Sequence, residues 1–336
     1  MTRRERVLKA LEFQQPDLTP YDIGLTWPLR KQAYAYFGTE DLGEAFGNHL
    51  YSIGVGSEEL WTEPKPGLRR DEFGVVWDRT IDQDIGTTTT DLVIPEPTLV
   101  GYTWPDPLEA RRFADLERYA GAAPDQFVVA DFGFTLFERA WTMRGMENVL
   151  MDMAANERFT DEFLDAICDW NIEVVKRIVK YPVDAVLFGD DWGCQRGLIM
   201  GPKLWRRFIK PRIARMYKEV TDAGRLVFIH SCGDVDELFD DLVEAGVRVF
   251  NPFQPEVMDT FALAKKYKGR LAFYGGISTQ RLLPYSTPDQ VRAGVRNIIK
   301  RIGKGGGYIA APAHATPKDT PFENILAMWE VLRAGR

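Results

Sequence analysis

The sequence predicts a (β/α)8 (TIM) barrel that occupies the whole chain, residues 1–336, as a single domain with a β-hairpin insertion near residues 69–95. Three observations predict it. Short apolar, β-branched runs recur along the chain. Amphipathic helical stretches lie between most of them. One segment rich in Thr, Asp and Val interrupts the alternation. Alternating strand and helix units imply a parallel sheet, and the pattern alone marks about five of them plainly. Eight such units imply closure into a barrel.

In chain order, Thr2 followed three residues later by Glu5 has the pattern of a helix-opening capping box. Strands are expected at residues 18–27, 50–55, 127–132, 185–189, 226–229, 247–250, 271–274 and 307–311. Several of these runs are almost continuously apolar, as strands covered on both faces are. The clearest helices are expected at 203–223 and 287–302. The second opens Thr287-Pro288-Asp289-Gln290, a cap residue followed by Pro in the first turn. Residues 69–95, with Asp71-Glu72-Phe73-Gly74 as a turn, read as one or two antiparallel hairpins. Residues 101–107 form a turn-rich connector.

Composition limits the class of function. Hydrophobic residues make up 45% of the chain and charged residues 27%, the mixture of a soluble globular protein. A formal net charge of -7 argues against nucleic-acid or anionic-membrane partners, which prefer basic faces. There is no run of about 18 apolar residues and no apolar stretch at the N-terminus, so neither a membrane span nor a targeting segment is expected. The three cysteines, Cys168, Cys194 and Cys232, are too few and too scattered for a disulfide framework. A reducing cytoplasm is the expected location.

Barrel chemistry sits where the strands end. The polar residues there are Asp190, Asp191 and Trp192; His230, Ser231 and Cys232; Asn251 and Gln254; Gly275 and Gly276; and His314. Two of the three histidines fall on this rim. His230-x-Cys232 places an imidazole and a thiol on the same side of a strand end, and both suit zinc. With His314 the set reaches three ligands plus an open position, the arrangement of a catalytic zinc site. A hydrogen-bonded histidine beside a small thiol is the simpler reading of the His-x-Cys pair by itself. Asp190 and Asp191 could each serve as metal ligand, proton donor or substrate anchor, and one of them as a helix cap. Glu138 and Arg139 read as a surface ion pair. His49 and Cys168 read as structural, Cys194 as a weaker candidate for an extra ligand, and Gly305 to Gly307 as a turn.

Three stretches carry a family resemblance. Asp190-Asp191-Trp192-Gly193 is followed by Gly201-Pro202, Trp205, Phe208 and Pro211. Phe273-Tyr274-Gly275-Gly276-Ile277 is followed by Leu282-Leu283-Pro284. Gly307-Tyr308-Ile309 leads to His314, Pro317, Thr320-Pro321 and Glu323-Asn324. From Phe127 onward the chain resembles the uroporphyrinogen decarboxylase superfamily, and the count of eight strand and helix units rests in part on this resemblance. It departs from the genuine decarboxylases where they hold substrate carboxylates. The matching region reads Leu25-Thr26-Trp27-Pro28-Leu29-Arg30-Lys31-Gln32, with at most Arg30 preserved, and their Phe-Ser-Asp strand end becomes Val55-Gly56-Ser57-Glu58-Glu59. A substrate with many carboxylates needs several cations in its cleft.

His230-x-Cys232 is similar instead to the corrinoid-dependent methyltransferase branch, whose members hold zinc with His-x-Cys and a later Cys. Here the later position is His314. The resemblance implies a zinc-dependent methyltransferase that moves a methyl group between a small substrate, a methoxylated aromatic or a thiol, and a corrinoid carried by a partner protein. Zinc would sit on His230, Cys232 and His314. Asp190, Asp191 and His314 would take part in the chemistry, and Trp192, Asn251, Gln254 and Gly275 would line the pocket. Replacing a thiolate by a neutral imidazole makes zinc a stronger Lewis acid, which fits O-demethylation. The resemblance also makes a homodimer the expected assembly. A metal-independent decarboxylase or lyase and a non-catalytic binding barrel are the alternatives.

Overall fold

The computed structural model describes residues 1–81 and 86–335. Seven parallel strands form one curled sheet: β1 (Leu50–Gly54), β2 (Phe127–Phe132), β3 (Ala185–Gly189), β4 (Leu226–His230), β5 (Val247–Phe253), β6 (Ala272–Ile277) and β7 (Tyr308–Pro312). Their order in the sheet is their order in the chain. Helices connect most successive strands, as parallel pairing requires.

The eighth strand expected at 18–27 is not a regular one. The segment makes isolated parallel bridges at Tyr21 to Ala310 and Leu25 to Thr316. On its other side the amide of His49 donates to the Tyr21 carbonyl, and the Asn48 side chain bonds both the amide and the carbonyl of Ile23. Residues 20–26 thus span the gap between β7 and the start of β1 and complete the wall. Pro20 has no amide to donate, and Asn48 takes the place of a backbone ladder, so no continuous strand forms.

Strand alternation sorts the side chains. Leu50, Phe127, Val129, Ala185, Phe228, Val249, Ala272 and Ile309 pack together inside the barrel, and Val7 and Leu11 of the helix Arg3–Leu11 join them. That helix, opened by the expected Thr2–Glu5 capping box, closes the N-terminal end. The alternate residues, among them Val128, Ala130, Phe132, Val186, Phe188, Val227 and Ile229, pack outward against the helices.

The insertion is larger than expected. Four short antiparallel strands, Thr62–Lys65, Leu68–Arg70, Val76–Asp78 and Thr87–Thr88, form a separate sheet that starts before residue 69. Residues 82–85 of the expected insertion lie outside the described residues. The expected Asp71 turn is present: the Asp71 carboxylate accepts the amides of Phe73 and Val75. The helix expected at 203–223 begins earlier, at Gly201, and passes through a wider π-type turn at Trp205–Ile209 before Lys210–Asp222. The helix Pro288–Ile302 has Thr287 as its cap, with Gln290 completing the capping box. Among the described residues, no helix is long and apolar enough to cross a membrane.

Candidate active site and metal centre

In four of the strands the inward-facing row is apolar at first and turns polar toward the C-terminal end. Phe127 and Val129 are followed by Asp131, Phe228 by His230, Val249 by Asn251, and Ala272 by Tyr274. These polar residues, together with Asp22 and His314, line a cavity of about 240 Å³ at the C-terminal end of the barrel. Leu50, Val129, Leu187 and Phe228 form its apolar part.

On one side of this cavity His230, Cys232 and His314 converge, with their donor atoms within 4.8 Å of one another. His230 Nε2 lies 3.5 Å from Cys232 Sγ. A tetrahedral zinc with ordinary bond lengths separates a sulfur and a nitrogen ligand by about 3.5 Å, so this pair is already spaced for the ion. The His230 and His314 rings meet edge to face with centroids 5.7 Å apart. His314 is the exposed member of the trio, and an inward movement of about 1 Å would bring its nitrogen to tetrahedral spacing.

The neighbours of the trio hold it in this arrangement. His230 Nδ1 is 2.6 Å from Asn251 Oδ1, while Asn251 Nδ2 donates to the Tyr274 carbonyl at 3.1 Å. That second bond orients the amide so that its oxygen faces His230. The oxygen accepts the Nδ1 proton, and the Nε2 lone pair is left facing Cys232. The Cys232 amide donates to Asp191 Oδ1 at 2.7 Å. Burial, with Asp191 and Glu138 nearby, pushes the Cys232 thiol well above its ordinary pKa. Loss of water and the neighbouring His230 hold His314 below the usual imidazole value. Both shifts describe the metal-free protein; a bound cation reverses the local preference for the thiol.

Four residues expected at the site stand behind the cavity wall. Asp190 is fully buried and does not face the cavity. It accepts the amides of Leu136 and Glu138 and the Trp192 indole N–H, the last at 2.6 Å. Burial lifts it to about 6, against the lowering pull of these bonds. Trp192 is fully buried edge-on against Trp205. Gln254 accepts the Gly233 amide at 2.8 Å. Gly275 sits where a β-carbon would come within 2.7 Å of the Phe253 amide nitrogen, and its φ of +131° suits glycine. The reason for all four is local: each side chain or backbone is engaged with a neighbouring strand end or loop. Asp191 and Asn251 adjoin the trio through the Cys232 amide and the His230 ring. Cys194 is exposed in the short hairpin Gly193–Cys194 and Gly197–Leu198, outside the three-residue cluster.

Glu138 and Arg139 do not form a surface pair. They begin the helix Phe137–Arg144, whose turn aims them in different directions. Arg139 pairs with Asp71, in a turn of the insertion, at 2.7 Å. Glu138 faces Asp191 and Asp190, and burial beside these two carboxylates pushes it up to about 9. The loops here are closely packed: a β-carbon on Gly233 would lie 2.3 Å from the Gly193 carbonyl carbon.

Reading only the residues after each strand missed Asp22, Asp131 and Tyr274. The Asp22 carboxylate accepts the Tyr274 hydroxyl at 2.7 Å, and burial lifts Asp22 to about 6. Burial likewise raises Asp131. Asp131 had a signal in the sequence: it is the one charge in the run Phe127-Val128-Val129-Ala130-Asp131-Phe132, at an inward position.

Comparison with known proteins agrees with this architecture. Uroporphyrinogen decarboxylase of Coxiella burnetii strain Dugway 5J108-111 is 23% identical over 158 residues, covering 46% of this chain and 42% of that protein. The protein of that name from strain RSA 331 / Henzerling II matches to the same extent. The aligned part thus spans under half the length of the curated relatives it matches. A solved methyltransferase from Methanosarcina mazei superposes over 99% of both chains with a TM-score of 0.75 at 17% identity, a likeness of fold. The family model described as Uroporphyrinogen decarboxylase (URO-D) matches residues 130–335, which contain the whole His230–Cys232–His314 cluster, and the chain belongs to that family.

Proposed function

We propose that the protein is a zinc-dependent methyltransferase that moves a methyl group between a small substrate and a corrinoid carried by a partner protein. The clustering of His230, Cys232 and His314 beside the barrel-mouth cavity, which His230 and His314 line, supports this reading most directly. The three would hold zinc, which supplies Lewis-acid polarisation of the heteroatom that gives or receives the methyl group. Asn251 fixes the His230 tautomer, Asp191 tethers the Cys232 backbone, and the apolar part of the cavity excludes water from the reacting group. His314, whose pKa is depressed, is neutral and able to ligate at neutral pH.

The test is metal content and methyl transfer in protein purified without oxygen. About one zinc per chain, lost in Cys232→Ala, together with methyl transfer to an added corrinoid protein, is the expected result. Metal-free wild-type protein that is nevertheless active would leave the second reading, a decarboxylase or lyase. Family membership favours that second reading. Against it stands the cavity lining, which among the described residues contains no Lys or Arg to receive a substrate with several carboxylates.

A further inference from the structure

The cavity at the barrel mouth is electrostatically one-sided. Asp22 and Asp131 both line it, and the other titratable groups in its wall are His230, Tyr274 and His314. The two carboxyls differ in how they are satisfied. Asp22 is held by the Tyr274 hydroxyl at 2.7 Å. Asp131 makes no side-chain hydrogen bond or ion pair among the described residues, although it stands at the last inward position of a strand otherwise packed with Phe127 and Val129. A carboxylate turned into a partly dry cavity without a donor is costly, and the cost falls when a cation or donor arrives from outside. The space is small. An apolar cavity of about 150 Å³ takes benzene, so about 240 Å³ fits a molecule of modest size.

We infer that the small substrate of this cavity carries a protonated amine received by Asp131 and reinforced by Asp22, while its reacting group faces His230 and His314 of the three-residue cluster. This rests on the reading of the cavity as the substrate site, but not on which reaction occurs there. It sets aside methoxylated benzoates and carboxylate-bearing thiols in favour of amino-bearing substrates.

The test is titration calorimetry on the full-length protein at pH 7 without oxygen. One series uses thiols of similar size: cysteamine, 2-mercaptoethanol and 3-mercaptopropionate. A second series, which needs no metal, uses propylammonium and propionate. A charge-assisted hydrogen bond predicts cysteamine binding about tenfold or more tighter than 2-mercaptoethanol, with 3-mercaptopropionate weakest. Propylammonium should likewise exceed propionate. In Asp131→Asn both preferences should shrink to within about threefold, with zinc content unchanged. The wild-type ranking stands as a test even where the variant does not fold. Equal binding within each series, a preference for the carboxylate, or no measurable binding in either overturns the inference. Metal-free protein that still prefers propylammonium through Asp131 would uphold it while removing the zinc methyltransferase reading.

Discussion

Asn251 Oδ1 lies 2.6 Å from His230 Nδ1 and thereby decides which nitrogen of His230 is free to bind a metal. Removing such an outer partner typically costs about 10–100-fold in metal affinity. Asn251→Ala should therefore weaken zinc binding by that factor while the fold persists, as measured by competition against a chromophoric chelator. Unchanged affinity would mean that the ring is oriented by packing alone.

Trp192 donates its indole N–H to the buried Asp190 carboxylate at 2.6 Å. Trp192→Phe keeps the ring edge against Trp205 but deletes this donor. Leaving a buried acceptor short of a donor costs about 1–3 kcal/mol, and with the Leu136 and Glu138 amides still in place urea denaturation should show a loss of that size. No loss would show that the remaining amide donors of Leu136 and Glu138 suffice.

His49 is buried, and burial lowers its pKa to about 4. A histidine depressed by folding stabilises the native state above its unfolded value of about 6.5. That stability is lost as pH falls through the folded value of about 4. The difference between wild type and His49→Leu, followed by thermal unfolding from pH 7 to 4, should show a loss confined to the wild type.

Glu138 has the opposite sign. Its carboxyl is raised to about 9, so the folded state holds the proton more tightly. The associated stability is complete below about pH 4.3, the unfolded value, and fades as pH rises through the folded one. Glu138→Gln should flatten this decline, leaving the metal-free variant more stable relative to wild type at pH 9 than at pH 5. Parallel stability profiles for the two proteins would contradict the assignment.

Gly233 has a φ of +86° and lies so close to Gly193 that no side chain fits between them. Gly233→Ala should displace the loop beginning at Cys232. The expected outcome is protein with a markedly lower zinc content, read by elemental analysis. Full retention would show that the two loops can separate without disturbing the thiol.

Much of this was legible in the chain because burial on both faces leaves a plain mark. The runs at 127–132, 185–189 and 226–229 are apolar almost throughout, and they appear as β2, β3 and β4. The segment at 18–27 was less legible because its partners are the distant Asn48 side chain and residues 310 and 316, none of which its own composition specifies. In the site, His230, Cys232 and His314 stood out by residue type and place. Asp22 and Asp131 were hidden inside apolar runs, where only the inward or outward parity of the strand reveals their role. The opposite error affected Asp190, Trp192, Gln254 and Gly275. They follow strands in sequence, yet bonds to neighbouring loops and strands turn them behind the wall, and those bonds depend on tertiary packing.

The helix Arg3–Leu11, with Val7 and Leu11 pressed into the barrel interior, makes the barrel a blind well. Nothing passes through that end of the barrel. Under the proposed function, a small substrate and a large corrinoid-bearing partner then both approach from the C-terminal side, and the partner covers the mouth when it docks. Turnover should follow a compulsory sequence, small molecule first and macromolecule second, with the spent small product held until the partner departs.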